Sequence, residues 1–351
     1  MTPTKAKMAL DKVIAKSRIH LYKPIQIAEV LYHKRMDVSI DLLDLESYKS
    51  KSKQWRNAVS RELLGCVCTS SARFQDNVFE ENATSPSVLD ILGKENCRTK
   101  GAVEAYIYRQ FVNKHVMMQE VMDYCLTKTP IDFSVETLIA LFRNNPGLKR
   151  SLDKIYEIVV YSLFITIIDA LELKVSLAIN PDKLEILKEF EDFTKSIMQL
   201  DLKTPIYNQS AKVFRVGVTN AVDHGLDMYS NWGPAIQIKH LTLDSELAES
   251  IVDRVSSDRI IFVCKDVERP VLVSILNQIG WKARIQSVVT EENLVSWYEK
   301  ACRGKYSVTV GKCLLGTLVD EMEKEFPSIG GGSPIIDSRC YDKLTIPVMW
   351  A

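Results

Sequence analysis

The sequence predicts an α/β fold with a central sheet in its second half and a mainly helical domain in its first half. Apolar residues recur at helical spacing early in the chain, whereas short apolar strands alternate with helices later. Between these parts, residues 144–147 read Asn-Asn-Pro-Gly, a run of turn-forming residues. We therefore predict a mainly helical, basic domain at residues 1–147 and an α/β domain at residues 148–351, because 351 residues suffice for both.

The helical prediction for the first domain rests on apolar spacing and on proline placement. Residues 5–16 alternate apolar and basic side chains at helical spacing, and Pro24 lies near the start of a second helix at residues 25–35. Further helices are predicted at residues 49–64, 101–126 and 135–143.

Positive charge is concentrated near the start of the chain, although the whole chain has a net charge of zero. Residues 1–75 carry 14 Lys and Arg against 7 Asp and Glu, whereas residues 151–351 carry 22 against 28. A basic segment favours a polyanionic partner, and from charge alone we predict four contacts to DNA. These contacts are Lys51, Lys53, Arg56 and Arg73, with Trp55 expected to be exposed beside them. A solvated helix face or a polar turn would have the same composition.

The second domain is predicted to alternate helices and strands. The predicted helices occupy residues 153–171, 182–199, 244–255, 270–279 and 291–303, and the predicted strands occupy residues 212–218, 235–241, 259–264 and 283–289. This succession is typical of a layered α/β architecture in which helices flank a central sheet.

Composition disfavours membrane, secreted and zinc-binding proteins. The longest apolar run, residues 158–168, is too short to cross a bilayer. The N-terminal residues contain no apolar h-region and no cleavage signal, so we expect a cytoplasmic protein with no membrane partner. Eight cysteines without a Cys-x-x-Cys pair, and five histidines without zinc spacing, predict reduced and mostly buried thiols.

The segment from Gly225 to Leu241, GLDMYSNWGPAIQIKHL, contains the residue types of a metal-dependent nuclease. Asp227 precedes a Gly-Pro turn, and the following strand carries Gln237 and Lys239 two positions apart. Because side chains alternate along a strand, Gln237 and Lys239 point the same way, and a hairpin would bring Asp227 beside them. Phosphodiester hydrolysis needs oxygen ligands for a hard divalent cation and an ammonium group that stabilises negative charge.

An ordinary hairpin with polar side chains on an edge strand explains the same pattern. Glu/Gln-x-Lys also occurs at Glu172-Leu-Lys174, where no Asp precedes it at a useful distance. Asp223 and His224 are alternative ligands or turn residues. Glu157 is either an extra acid for the metal site or a helix N-terminal acid. On spacing alone, both the nuclease and the hairpin interpretations stay open.

Four segments of the chain resemble the HaeII-type family of type II restriction endonucleases. They are HLYKPIQIAEVLY at residues 20–32, SSARFQDNVFEENA at 70–83, KIYEIVVYSLF at 154–164 and RVGVTNAVDHGLDMYSNWGPAIQIKHL at 215–241. This resemblance runs over nearly the whole chain and implies Mg²⁺-dependent cleavage of double-stranded DNA at a short palindromic site, RGCGCY in this family. It also implies a cognate DNA methyltransferase that protects the host. A palindromic target makes a homodimer the expected assembly.

The family is in turn similar to the PD-(D/E)xK nucleases, whose αβββαβ core carries an acid on one strand and Glu-x-Lys on the next. This similarity implies that Asp227 binds the metal, that Gln237 stands at the Glu position and that Lys239 is the lysine. Gln in place of Glu removes one negative charge, and Leu226 instead of Pro precedes Asp227. Two alternatives are a structure-selective repair or junction nuclease and a DNA-binding regulator that does not cleave.

Overall fold

A computed structural model of the chain describes residues 2–216, 226–254, 257–276, 284–328 and 334–351. These residues form two compact units. The helical unit contains residues 2–158, 318–328 and 334–351, and the sheet unit contains the described residues between 159 and 317. The division between the units falls within helices, and the domain boundary predicted after residue 147 stays a prediction.

The first 170 residues form eight α-helices. They are α1 (Pro3–Lys16), α2 (Tyr22–Met36), α3 (Lys49–Leu64), α4 (Ala72–Asp76), α5 (Pro86–Arg98), α6 (Ala102–Thr127), α7 (Val135–Asn144) and α8 (Leu152–Ala170). Apolar spacing therefore located helices correctly, because α1, α2, α6 and α7 match their predicted ranges to within three residues at each end.

Local capping chemistry sets where several of these helices begin and end. Thr2 Oγ1 accepts the Lys5 N–H at 3.4 Å, and proline is the first residue of α1. Ser134 Oγ accepts the Thr137 N–H at 3.2 Å at the start of α7. Helix α3 ends at Leu64 and is capped by Gly65, whose φ of 68° is a left-handed conformation that glycine adopts without steric cost.

The core of the helical unit is completed by the C-terminal segment, residues 334–351. Trp350 is fully buried, and its indole N–H donates to Glu95 Oε1 at 3.3 Å. The two terminal nitrogens of Arg339 donate to the two carboxylate oxygens of Glu29 at 2.7 and 2.9 Å. The bidentate, charge-assisted Arg339–Glu29 pair fixes the C-terminal segment against α2, and the Trp350 bond fixes it against α5.

The sheet unit starts with a small antiparallel ladder that the sequence did not predict. Strand β1 (Lys174–Ala178) pairs with β2 (Ile206–Ser210), and helices α9 (Leu184–Glu189) and α10 (Glu191–Met198) lie between them in sequence. The helix predicted at residues 182–199 lies at the expected position, but it is divided into two consecutive helices. The helix is interrupted at Phe190, whose φ and ψ of −110° and 27° are not helical.

A mixed five-stranded sheet forms the centre of this unit. Its strands, in their order across the sheet, are β3 (Val213–Arg215), β4 (Met228–Ser230), β5 (Ala235–Leu243), β6 (Ile260–Val267) and β7 (Ile285–Thr290). The β3–β4 and β4–β5 pairs are antiparallel, and the β5–β6 and β6–β7 pairs are parallel. The predicted α/β fold with a central sheet is confirmed. Residues 217 and 218 of the first predicted strand lie outside the described residues.

Helices make the crossovers that parallel strands require. Helix α11 (Ser245–Arg254) connects β5 to β6, and α12 (Arg269–Leu276) connects β6 to β7. They are followed by α13 (Glu291–Arg303) and α14 (Lys312–Glu325). On one face of the sheet, Phe262 and Cys264 of β6 are buried with Val271 of α12. This burial raises the pKa of the Cys264 thiol to about 11, because apolar surroundings disfavour the thiolate.

The expectation of mostly buried thiols is only partly correct. Three of the eight cysteines are buried and three are exposed, and the remaining two are half-buried. The buried ones are Cys125, Cys264 and Cys302, and the exposed ones are Cys66, Cys97 and Cys313. Within the described part of the chain, no helix is both long and apolar enough to span a membrane.

Candidate active site

Asp227, Gln237 and Lys239 meet where β4 and β5 pair. Met228 pairs with Ile236 in antiparallel register, and continuing this register by one residue sets Asp227 opposite Gln237. Lys239 lies two positions further along β5 and therefore on the same face as Gln237. The hairpin expected from the sequence thus brings the three residues to one face of the sheet.

The Asp227 carboxylate lies at the centre of this group. Its Oδ2 accepts the backbone N–H of Ile238 at 2.7 Å and lies 3.5 Å from Lys239 Nζ. The Asp227 carbonyl oxygen accepts the N–H of Val216 at 2.9 Å, which ties the residue to the end of β3. The Asp227 and Lys239 side chains are 18% and 33% exposed, so both charged groups keep access to solvent.

Gln237 lies deeper in the sheet than a polar residue of an edge strand would. Strand β5 is the middle strand of five, and Gln237 is only 2% exposed. The edge-strand interpretation is therefore wrong. Burying an amide without hydrogen bonds costs about 1–3 kcal/mol, so a Gln at this depth is expected to have a polar partner or ligand.

Asp227 and Gln237 contribute side-chain oxygens to this site, and oxygen is the donor type that Mg²⁺ prefers in proteins. Mg²⁺ commonly takes one or two protein oxygens and completes its octahedron with water and phosphate oxygens. Among the residues that the structure describes, no three His, Cys, Asp or Glu side chains are arranged to hold a metal. The donor set is therefore poor in negative charge, with Asp227 as its carboxylate and Lys239 beside it.

Comparison with known proteins decides the family. A family model described as HaeII restriction endonuclease matches residues 6–341, which is nearly the whole chain and includes the Asp227 site. The chain belongs to the HaeII restriction endonuclease family. The resemblance drawn from the four sequence segments is thus confirmed.

Two curated relatives support this membership of the HaeII family. The chain is 51% identical over 323 residues to the type II restriction enzyme HaeII of Haemophilus aegyptius, with 92% of each chain covered. It is 49% identical over 340 residues to the type II restriction enzyme NgoBI of Neisseria gonorrhoeae, with 96% of each chain covered. No solved structure matches the chain.

Three further candidate ligands in this HaeII-family chain stay predictions. Asp223 and His224 lie outside the described residues. Glu157 is buried on α8, and both of its carboxylate oxygens accept from Lys154 Nζ, at 2.9 and 2.7 Å. Glu157 therefore has an ion-pair partner on its own helix, and it belongs to the helical unit, whereas Asp227 belongs to the sheet unit.

Of the four basic residues predicted to contact DNA, Arg56 is the least exposed to solvent. Arg56 is fully buried, and its guanidinium donates to Gln26 Oε1 at 2.9 Å and to Gln75 Oε1 at 2.8 Å. Burial also lowers its pKa, because it disfavours the charged form. Arg56 therefore holds α2, α3 and α4 together, and its guanidinium is enclosed by protein side chains.

The other three basic residues are more accessible. Lys51 and Arg73 are exposed, whereas Lys53 is half-buried and pairs with Asp76 at 3.0 Å. An ion pair with a neighbouring carboxylate competes with phosphate for the Lys53 ammonium. Lys51 and Arg73 are thus the better candidates for contact with a polyanion.

The expected exposure of Trp55 is also corrected. Its indole stacks on the His33 ring, with ring centroids 3.9 Å apart, and packs against the core of the helical unit. The sequence did not predict that a different aromatic residue, Phe74, is exposed. Its side chain is more than half exposed, and Lys23 Nζ lies 3.6 Å from the centroid of its ring. The polar residues around Phe74 in SSARFQDN could have indicated this exposure, because few apolar residues near it in sequence are available to pack against its ring.

Proposed function

We propose that this chain is a type II restriction endonuclease that hydrolyses both strands of double-stranded DNA at a short palindromic site with Mg²⁺. The enzyme class rests on membership of the HaeII family and on about half-identical sequences of two type II restriction enzymes. The observation that carries the chemistry is the Asp227–Lys239 pair beside the buried Gln237. For the recognised sequence we propose RGCGCY, the site that the family resemblance implies.

Each residue of the site has a separate proposed role in phosphodiester hydrolysis. Asp227 and Gln237 would hold Mg²⁺, which supplies charge neutralisation at the phosphate and a more acidic water. The Lys239 ammonium is positioned to stabilise the negative charge that develops during phosphodiester hydrolysis. The hydrogen bond from Ile238 N–H orients the Asp227 carboxylate, so the acid and the lysine are organised before DNA binds.

Cleavage of a plasmid of known sequence in the presence of Mg²⁺ tests this proposal, with Lys239→Ala as the informative variant. We expect discrete fragments from the wild type and a loss of roughly 100-fold or more in the cleavage rate of the variant. Lys265→Ala is the matched control, because Lys265 is an exposed lysine on the neighbouring strand β6. The control should cut like the wild type.

The pattern of cutting distinguishes the alternatives. Fragment ends that map to RGCGCY support the proposed site. Cutting that depends on junctions or flaps instead of sequence would indicate a repair nuclease. Tight DNA binding without any cutting would indicate a regulator, and the proposal would then be abandoned.

We also propose that the domain at residues 1–147 contributes most of the DNA binding and that the domain at residues 148–351 cleaves the DNA. Lys51 and Arg73 are the two exposed cations that we propose to contact DNA phosphates. Each phosphate contact that is lost should reduce the slope of log K against log salt by about 0.9. Replacing both residues by Ala should therefore lower the slope by roughly 2, as measured by fluorescence anisotropy over a salt series.

A matched double variant controls for general loss of positive charge. Lys128 and Arg150 are exposed cations in the helical unit outside the proposed contact segment. Replacing these two by Ala should leave the slope close to the wild-type value. Equal slopes of log K against log salt for the two double variants would contradict the proposal that Lys51 and Arg73 contact DNA.

The remaining partners follow from the same proposed function. We propose a homodimer, because two-fold protein symmetry matches a palindromic target. We propose a cognate DNA methyltransferase that modifies the same site in host DNA, and a cytoplasmic location with no membrane partner. A methyltransferase gene beside the gene for this chain would separate the restriction function from a repair function.

A further inference from the structure

Residues 171–210 form a segment with an unusually exposed surface, which we call the arm. Its two ends are joined by the β1–β2 ladder, in which Lys174 pairs with Ser210 and Ala178 pairs with Ile206. Helices α9 and α10 lie between the strands in sequence. Within the arm only Leu187 and Leu200 are buried, so nearly all of its side chains contact solvent in a single copy of the chain.

The helices of the arm direct apolar residues outward. Ile186, Phe190, Phe193 and Ile197 are spaced by four, three and four residues. The Phe190 N–H donates to the Ile186 carbonyl at 3.1 Å and the Thr194 N–H donates to the Phe190 carbonyl at 3.0 Å, so helical spacing continues across the interruption and places the four along one side. Each of the four is between 51% and 68% exposed. An apolar stripe at this spacing normally packs against a core, and no element among the described residues covers this one.

The exposed apolar area matches what a stable protein interface buries. Eleven of the exposed large apolar residues lie between Leu171 and Ile206, with exposures from 39% to 68%. With roughly 200 Å² for each fully exposed side chain, the arm presents on the order of 1,000 Å². A standard interface takes about 800 Å² from each partner, so the summed apolar area of the arm is large enough for one side of an interface.

The charge of the arm argues against a phosphate-rich partner. Residues 171–210 contain 5 Lys and no Arg against 7 Asp and Glu. A surface of net negative charge repels both DNA and anionic lipid. A protein surface with the same apolar character is the partner that the arm fits.

We propose that the arm pairs two copies of this chain, with the apolar stripe of one copy packed against the arm of the other. A second copy presents the same stripe, and isologous pairing about a two-fold axis is the usual way in which one patch covers itself. The inference deepens the proposed function and rests on it for the two-fold symmetry that a palindromic target requires.

Sedimentation velocity without DNA and without Mg²⁺ tests the arm directly. The wild type at micromolar concentration should sediment with the mass of two chains. Ile197→Glu should sediment as one chain, because a charge in the stripe should raise the dissociation constant by about tenfold or more. Ile131→Glu is the matched control, because Ile131 is 71% exposed, lies outside the arm and should leave the dimer intact.

Phe193→Glu provides a second variant, and thermal unfolding of each protein checks that the fold is preserved. A one-chain mass for the wild type, or a two-chain mass for both stripe variants, overturns the inference. Lys239→Ala measured in the same way keeps the test separate from catalysis. A dimer that does not cut DNA would refute the proposed nuclease function alone, and a monomer that cuts both strands would refute the arm and the homodimer while the nuclease function would stand.

Discussion

At the scale of single residues, Gln237 sets the electrostatics of the site. The amide occupies a position where a second carboxylate would double the negative charge beside Asp227. Because Lys239 lies 3.5 Å from Asp227 Oδ2, the pair is close to neutral without a metal. A neutral pair of this kind tolerates the absence of metal, and in the proposed Mg²⁺ site it would attract the cation less strongly than two acids would.

Gln237→Glu tests this balance. With Gln237 at 2% exposure, the new carboxylate should lower the free energy of unfolding without metal by about 1–3 kcal/mol. Mg²⁺ should then raise the melting temperature of the variant more than that of the wild type, because the metal relieves repulsion between two acids. Thermal unfolding with and without Mg²⁺ measures both effects.

Gln209→Glu is the control for this substitution, because Gln209 is exposed on β2. The control should show no additional stabilisation by Mg²⁺. If Mg²⁺ stabilises Gln237→Glu no more than it stabilises the control, residue 237 does not face the metal.

At the scale of elements, helix α6 carries a histidine that its packing keeps neutral. His115 is buried, its Nδ1 is hydrogen-bonded to the Phe111 carbonyl at 3.0 Å, and its ring lies 6.2 Å from that of His20. Burial lowers the pKa of His115 to about 4, and burial also lowers the pKa of His20. The adjacent Lys114 ammonium and the second imidazole oppose a further positive charge.

This packing predicts acid sensitivity. In the unfolded chain His115 binds a proton below pH 6.5, whereas in the native state it does so only near pH 4. Stability is therefore unaffected by this group above pH 6.5, and it falls as the pH drops towards 4 by up to about 3 kcal/mol.

Urea unfolding of the wild type and of His115→Gln at pH 7.5 and pH 5 measures the effect. The difference in unfolding free energy between the two pH values should be smaller in the variant by about 2 kcal/mol. An equal pH dependence in both proteins would show that other groups cause the loss of stability in acid.

At the scale of the whole molecule, local patterns were predictable and long-range neighbours were not. Side-chain alternation and the Gly-Pro turn were sufficient to expect Asp227, Gln237 and Lys239 together. The interior position of β5 was not predictable, because it depends on parallel pairing with β6 through a crossover.

Long-range pairing also explains why the burial of Arg56 and the β1–β2 ladder of the arm were not predicted from the sequence. Arg56 looked like a surface cation in KSKSKQWR, but Gln26 and Gln75, each about 20 to 30 residues away, enclose its guanidinium. The strands β1 and β2 have five residues each and find their partners only across the arm. Neither feature leaves a periodic signal in the sequence.

The helical unit is discontinuous in sequence, since residues 334–351 complete a core that begins at α1. A ribosome therefore makes Glu29 and Glu95 long before it makes Arg339 and Trp350. At 5–20 residues per second, the sheet unit between them takes roughly ten to thirty seconds to synthesise. During that time the first helices lack their final partners, so the core of the helical unit can be completed only after the whole sheet unit has been synthesised.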